Sequence, residues 1–238
     1  MRTRETVRSL AGSRYNRRVI QLPLRSGADS EQTYQLAPSK ILGIGRNYAE
    51  HARELGNEVP GEPLVFSRAS TSLLAPGAAI VRPAQWQRVD FEGELGVIIG
   101  KAARHVSEAD ALDHVLGYTC VNDVTVRDLQ KRDKLWWRAK GTDATCPVGP
   151  CVVTELDPDD LRIVTRVNGE VRQESRTSHM IFSVPRLIAF ISAHMTLLPG
   201  DLISTGTPAG VGDLQPGDVV EVEVEGVGVL ESPVVGDA

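Results

Sequence analysis

A strand that looks buried but carries two acids is the feature of this sequence that most constrains its fold. Residues 89–100 read V-D-F-E-G-E-L-G-V-I-I-G, with Glu92 and Glu94 two positions apart. Alternate residues of a strand point to the same face, so we expect these two carboxylates side by side. Like charges beside a core are costly unless something neutralises them. Either a hard divalent cation binds both side chains, or both face water on the outer side of an edge strand.

A third acid favours the metal hypothesis. Residues 117–122 form another strand-like run, and Asp123 follows it directly. Three carboxylates with water at the remaining positions suit Mg²⁺ or Mn²⁺, with Ca²⁺ as a substitute in crystals. No cluster of histidine or cysteine competes for a softer metal, because the histidines are scattered and no H-E-x-x-H motif is present.

Composition narrows the class of protein. The chain has 238 residues, 41% of them hydrophobic, which is enough for one substantial core. A net charge of -5 argues against nucleic acid or an anionic membrane as the main partner. No apolar run approaches the roughly 18 residues of a membrane-spanning helix. Three cysteines, an odd number, indicate free thiols and a cytoplasmic location.

The N-terminal residues are compositionally distinct. Six arginines but only one acid occur before position 19. This composition is typical either of a transit peptide or of a short β-rich appendage. We divide the chain into a small N-terminal appendage, residues 1–38, and a catalytic domain, residues 39–238.

Residue patterns predict a β-rich α+β fold, because strands dominate and no repeating βαβ pattern occurs. The individual predictions are a strand at 41–45, a helix at 47–56 with Asn47 as N-cap and Gly56 as stop, a helix at 107–116 capped by Ser107, a hairpin turn at Asn168-Gly169, a helix at 183–194, and a half-buried strand at 219–230.

Three further groups are candidates for chemistry. His51 and Glu54 lie three residues apart, so on a helix their side chains are on the same face. The carboxylate of Glu54 could then orient the imidazole or share a bound water with it. Lys140 taken alone is typical of a solvated charge. The glycine-rich turn at 205–212 offers backbone N–H groups that could bind a carboxylate, but no phosphate-loop lysine follows it.

Six ordered blocks of the sequence resemble the fumarylacetoacetate hydrolase family, in its short acylpyruvase-like or hydroxymuconate isomerase-like form. They are N-Y-A-E-H-A-R-E (47–54), D-F-E-G-E-L-G-V-I-I-G-K (90–101), G-Y-T-C-V-N-D-V-T-V-R-D (117–128), K-G-T-D-A-T-C-P-V-G-P (140–150), V-N-G-E (167–170) and P-G-D-L-I-S-T-G-T-P-A-G-V-G (199–212). Phe66-Ser67-Arg68 departs from the pattern, since many relatives have Lys at the third position. Arg and Lys are not interchangeable, so a substrate contact there is in question.

The resemblance implies a roll of several packed sheets with few short helices, a homodimer, and a divalent metal. It implies metal ligands at Glu92, Glu94 and Asp123, a catalytic dyad of His51 and Glu54, and enolate stabilisation by Lys140. It also implies that the substrate's carboxylate lies near Arg127, Gln130, Gly206 and Thr207.

The function implied by the resemblance is metal-dependent hydrolysis of a C–C bond in a small 2,4-dioxo acid, through a metal-bound pyruvate enolate, in aromatic catabolism. Two alternatives use the same enolate: isomerisation of 2-hydroxyhepta-2,4-diene-1,7-dioate or 5-carboxymethyl-2-hydroxymuconate, and decarboxylation of oxaloacetate. A third alternative is a non-catalytic β module stabilised by a structural cation.

Overall fold

The computed structural model describes residues 19–26 and 32–237. Over these residues the chain forms seventeen strands and four short helices, which confirms the predicted β-rich α+β class. The strands are β1 Ile20–Arg25, β2 Gln32–Leu36, β3 Ile41–Gly45, β4 Leu64–Arg68, β5 Leu73–Leu74, β6 Ile80–Arg82, β7 Val89–Phe91, β8 Gly93–Ile99, β9 Val115–Asn122, β10 Thr125–Val126, β11 Cys146–Val153, β12 Arg162–Val167, β13 Glu170–Arg176, β14 Leu202–Ser204, β15 Gly212–Asp213, β16 Val219–Val224 and β17 Gly228–Gly236. The helices are α1 Ala49–Glu54, α2 Arg127–Arg132, α3 Trp137–Gly141 and α4 Val184–His194. None of these helices has the length and apolar character needed to cross a membrane.

The strands form three sheets. The largest has the order β2-β1-β11-β9-β8-β14-β3-β4, with β5 paired to β11. A second sheet has the order β13-β12-β16-β17-β6, and a three-stranded sheet has the order β10-β7-β15. Because β8 has a neighbour on each edge and every one of its residues is buried, it is the centre of the large sheet.

The main core lies between the large sheet, the five-stranded sheet and α4. Leu95 of β8, Ile163 of β12 and Ile188 of α4 belong to one buried apolar cluster. The sheets approach closely at Gly93, where a Cβ atom would lie 2.0 Å from Thr165 Oγ1. A side chain at position 93 would therefore push the large sheet, which carries Glu94, away from the five-stranded sheet.

Several predicted elements are confirmed. Strand β3 has the predicted bounds, and α4 begins after Ser183, whose Oγ accepts a hydrogen bond from the N–H of Arg186. Asn168 and Gly169 both have positive φ (54° and 80°) between β12 and β13, as a type I′ turn requires. Cys120, Cys146 and Cys151 are all free thiols, as predicted, and all are buried.

One predicted helix cap and two predicted elements are wrong. Asn47 does not cap α1, because its side chain bonds to backbone groups of distant segments instead. Residues 107–116 form only a 3₁₀ turn at Ala111–His114, because the chain is extended from Val115 onward to pair with β8. Residues 219–230 form two strands of a hairpin rather than one, with Gly226 at φ 77° in the turn.

The described part of the N-terminal segment joins the large sheet. Strand β1 pairs with β2 and runs parallel to β11, and the side chains of Leu22 and Leu36 are fully buried. The arginine-rich run at positions 2–18 lies outside the described residues. The division of the chain at residue 38 stays a prediction.

Candidate active site

Three acids converge where β8 begins and β9 ends. Gly93 pairs with Asn122 in antiparallel register, and the N–H of Asp123 donates to the carbonyl of Glu92 at 2.8 Å. The register brings one oxygen each of Glu92, Glu94 and Asp123 within 4.8 Å of one another. All three residues are at most 3% exposed, so the alternative of two solvated glutamates is wrong.

Buried cations balance most of this negative charge. Lys140, on α3, donates from Nζ to Glu92 Oε2 at 2.5 Å and to Asp123 Oδ2 at 2.6 Å. Arg68, at the end of β4, forms an ion pair with the other oxygen of Asp123. Arg127, the first residue of α2, donates to Glu92 Oε1 at 2.6 Å.

Glu94 differs from its neighbours because no cation pairs with it among the described residues. Its Oε2 accepts hydrogen bonds from Ser204 Oγ and from the N–H of Gly206 at 2.8 Å. Burial and the nearby charge of Glu92 raise the pKa of Glu94 above its usual value. Burial acts the same way on Glu92, but Lys140 and Arg127 outweigh it and hold the pKa of Glu92 well below its usual range.

This donor set fits a hard divalent cation. Mg²⁺ and Ca²⁺ take oxygen ligands at about 2.0–2.6 Å, so oxygens on opposite sides of one ion lie about 4–5 Å apart. The three carboxylates meet that spacing, and Glu94 is a buried acid that forms no ion pair with any described residue. Their role as metal ligands stays a prediction.

His51 and Glu54 form the predicted pair on α1. His51 Nδ1 lies 3.3 Å from Glu54 Oε2, and because a carboxylate only accepts, the proton sits on Nδ1. Nε2 is then unprotonated, 3.9 Å from Glu92 Oε1 and beyond hydrogen-bonding distance. Burial lowers the pKa of His51, so the imidazole is neutral at neutral pH and suited to accept a proton.

The glycine-rich turn binds carboxylates of the protein itself. The N–H of Gly206 donates to Glu94, and the N–H of Gly210 donates to both oxygens of Glu54 at 3.1 and 3.2 Å. Thr207 Oγ1 donates to the carbonyl of Gly93 and accepts from Gln173. The turn thus fixes one acid of the triad and the acid of the dyad together.

A cavity of 390 Å³ opens beside these residues. Of the predicted site residues, it is lined by His51, Glu54, Glu92, Glu94, Arg127, Gln130, Lys140 and Thr207. Asp123 and Gly206 contact some of these lining residues but do not line the cavity themselves. Arg127 also holds Gln130, by donating to its Oε1 at 2.7 Å. The contacts predicted between these residues and a substrate stay predictions.

Comparison with known proteins identifies the family of this chain. The family described as Fumarylacetoacetate (FAA) hydrolase C-terminal matches residues 40–235, more than three quarters of the chain. The chain belongs to the fumarylacetoacetate hydrolase family. It is therefore an enzyme of a family whose members act on oxo acids as hydrolases, isomerases and tautomerases.

Three relatives within the fumarylacetoacetate hydrolase family are informative. Oxaloacetate tautomerase YisK of Bacillus subtilis is 44% identical, over 83% of this chain and 70% of its own. The structure of 2-hydroxyhepta-2,4-diene-1,7-dioate isomerase from Mycobacterium marinum is 46% identical, with TM-score 0.80, over 87% of this chain and 79% of its own. Fumarylpyruvate hydrolase from Pseudomonas aeruginosa, in complex with Mn²⁺ and pyruvate, is 31% identical, with TM-score 0.83, over 92% of this chain and 96% of its own.

Arg68 is the departure from the family pattern, and its surroundings explain why it is tolerated. Its guanidinium is fully buried, pairs with Asp123, and donates to the carbonyl and Oγ1 of Thr145 at 2.8 and 3.0 Å. It is not among the residues that line the cavity. In this member of the fumarylacetoacetate hydrolase family, position 68 therefore supports a member of the acidic triad.

Asp90 and Arg88 are among the site residues that were missed in the sequence. Asp90 is fully buried and accepts from Arg127 at 2.7 Å and from Arg88 at 2.8 and 2.9 Å. Its position two residues before Glu92 could have identified Asp90 as a site residue, because both side chains are then on one face of an extended chain. Arg88 lies on the cavity wall, and no local pattern distinguishes it from an ordinary solvated arginine.

Proposed function

We propose that this enzyme uses Mg²⁺ or Mn²⁺ to move a proton at the carbon next to the 2-oxo group of a small oxo acid, as a keto–enol tautomerase or isomerase does. The observation that carries the proposal is the buried, neutral His51, whose free Nε2 shares a cavity with Glu92, Glu94 and Lys140. Similarity to an oxaloacetate tautomerase and to a dienedioate isomerase supports the same class of reaction.

Glu92, Glu94 and Asp123 are the residues that would hold the metal. When bound, it supplies Lewis acidity that polarises the 2-oxo group and orients the substrate's carboxylate. The proposal of Mg²⁺ or Mn²⁺ rests on an all-oxygen donor set and on the Mn²⁺ of the similar Pseudomonas hydrolase.

The side chains of the cavity account for the proton transfer. Nε2 of His51 takes a proton from the carbon beside the carbonyl, and Glu54 holds the ring through Nδ1. The electron pair of the broken C–H bond becomes the new C=C bond, and negative charge moves to the 2-oxo oxygen. The buried ammonium of Lys140 stabilises that charge. His51 then returns the proton to oxygen or to another carbon of the conjugated system.

Hydrolysis of a 2,4-dioxo acid, the function expected from the sequence, is the second candidate. The Pseudomonas fumarylpyruvate hydrolase favours it, because it matches nearly the full length of both chains. His51 would then take a proton from a water that attacks the distal carbonyl. Cleavage of the C–C bond would leave an enolate beside Lys140, and decarboxylation of oxaloacetate would reach that enolate without the water.

A turnover screen tests the proposed class. With Mg²⁺ or Mn²⁺ present, we expect keto–enol exchange of oxaloacetate, or isomerisation of a carboxylated hydroxymuconate, to be faster than cleavage of acetylpyruvate or fumarylpyruvate. EDTA should abolish the activity. Faster cleavage would place hydrolysis first, and no turnover of any of these acids would contradict the proposal.

The predicted homodimer belongs to this proposal as well. Leu135 and Trp137 are 77% and 67% exposed and lie beside Leu64, forming an apolar surface that a second copy would cover. The cytoplasmic location and the role in aromatic catabolism stay predictions.

A further inference from the structure

The cavity wall carries more positive charge than its own acids neutralise. Arg127 and Lys140 form ion pairs with buried carboxylates. Arg46 also lines the cavity, and within the described part of the chain its guanidinium has no ion pair and no hydrogen bond. An arginine on a cavity wall without a protein partner is a site where an anionic ligand can bind.

The backbone at Arg46 is strained. Its φ of 59° lies in the left-handed region, which an arginine adopts only at a cost. The residue stands in the turn between β3 and α1, after Gly45 and directly before the buried Asn47. Gly, Asn or Asp would relieve this strain, so a purely structural role does not explain an arginine at this position.

We propose that Arg46 binds the second carboxylate of the substrate and makes the enzyme selective for dicarboxylic 2-oxo acids. The inference rests on the proposed function, in which the 2-oxo acid end of the substrate faces Glu92, Glu94 and Lys140. These three residues leave the other end of the substrate, with its second carboxylate, without a binding partner. A guanidinium matches a carboxylate with two parallel hydrogen bonds, which sets the preferred charge at the far end.

Two other cations of the wall are weaker candidates. Arg88 already forms a bidentate ion pair with Asp90 through Nε and one terminal nitrogen, so its charge is compensated within the protein. Lys131 is solvent-exposed, so water screens its charge. Arg46 is half-buried and forms no ion pair with any residue that the structure describes, which makes its charge the more effective one for selectivity.

The test compares oxaloacetate with its 4-methyl ester, which keeps the 2-oxo acid end and removes the distal charge. Arg46→Asn suits the left-handed backbone and removes the guanidinium, so we expect the variant to fold at least as stably as the wild type. We expect its kcat/KM for oxaloacetate to fall about 10- to 100-fold, and that for the ester to stay within about threefold. Arg46→Lys should restore part of the preference, and Arg53→Gln, an exposed arginine of α1, should change neither value.

Binding of 3,3-difluorooxaloacetate and its 4-methyl ester, measured by calorimetry with Mn²⁺ present, separates this inference from the proposed reaction. These analogues have no C3 proton to lose, so their dissociation constants report recognition alone. A preference for the diacid that Arg46→Asn abolishes supports the inference, even if the wild type turns over no substrate. An equal loss for diacid and ester, or an unchanged preference in Arg46→Asn, would overturn it.

Discussion

The histidine at position 51 shows how burial adapts a side chain to accept a proton. Burial lowers its pKa, while Glu92 and Glu54 act in the opposite direction. The imidazole is thus kept neutral without losing its basicity altogether. A neutral ring with one nitrogen held by an acid and the other free is the form that proton abstraction requires.

The reaction needs the neutral imidazole of His51, so turnover should fall as the pH is lowered. We predict that the midpoint of this fall, the acid limb of the pH profile, lies below pH 6.5, the usual pKa of histidine. Glu54→Gln removes an interaction that raises the pKa of His51, so it should shift this limb to still lower pH and slow turnover. His51→Asn should slow turnover about 10²- to 10⁴-fold. Steady-state kinetics from pH 5 to 8 measure both effects.

The Glu54→Gln comparison also identifies the group that titrates, since other residues of the site carry protons. An acid limb that moves to higher pH in this variant would contradict the assignment to His51. Turnover by His51→Asn within about threefold of the wild type would show that another group is the base.

At this scale, local spacing predicted the two glutamates of the triad and the dyad, and Asp123 was predicted from its place directly after a strand-like run. Glu92 and Glu94 are two apart, His51 and Glu54 are three apart, and each spacing puts both side chains on one face. The partners of these groups were not predictable in the same way. Whether Arg68 contacts a substrate or supports Asp123 depends on how β4 packs against β9, which no local pattern encodes.

The segment that carries α1 is held in place by a side chain just before it. Asn47 donates from Nδ2 to the carbonyls of Phe182 and Thr205 at 3.0 and 2.7 Å, and its Oδ1 accepts from the N–H of Phe182 at 2.8 Å. Gly206 packs against it, where a Cβ atom would lie 2.6 Å from Asn47 Cβ. Asn47 therefore ties the helix of the dyad to the glycine-rich turn.

We predict that Asn47→Ala costs about 2–4 kcal/mol of unfolding free energy, because it leaves several buried backbone groups without partners. Urea unfolding measures this. Asn57→Ala, which loses one bond to the carbonyl of Leu55 at 3.3 Å, is the matched control and should cost less than about 1 kcal/mol. A loss below 0.5 kcal/mol for Asn47→Ala would show that the segment is held by other contacts.

Elements with a strong local signal were predictable, and those decided by tertiary pairing were not. The cap at Ser183 and the turn at Asn168-Gly169 depend on a few neighbouring residues. Asn47 has the chemistry of a cap, but its side chain satisfies distant carbonyls instead. Residues 107–116 have the composition of a helix, yet the pairing of β9 with β8 ends the turn after one 3₁₀ segment.

At the scale of the whole molecule, the sequence patterns did not predict the order of the strands within each sheet. Strand β8 lies between β9 and β14, which is more than a hundred residues further along the chain. This order gives β8 a hydrogen-bonded neighbour along each edge, while the five-stranded sheet and α4 pack against it. The resemblance to a known family implied a roll of packed sheets, but the burial of the triad also depends on the central position of β8, because an edge strand would leave one side open to solvent.

The central claim is that Glu92, Glu94 and Asp123 form one divalent-cation site. Glu94→Gln tests it cleanly, because Glu94 pairs with no cation among the described residues, so its neutralisation leaves no buried charge without a partner. The amide keeps the shape of the side chain, so the fold should persist. Glu231→Gln, an exposed acid on β17, is the control.

The decisive measurement is a calorimetric titration of metal-free protein with Mn²⁺. We predict one bound ion per chain for the wild type and for Glu231→Gln. For Glu94→Gln, with an unchanged urea midpoint, we predict affinity at least about 100-fold weaker, since losing a ligand should exceed the 10- to 100-fold typical of an outer contact. Equal affinity in Glu94→Gln and the wild type, or no saturable binding to the wild type, would contradict the account.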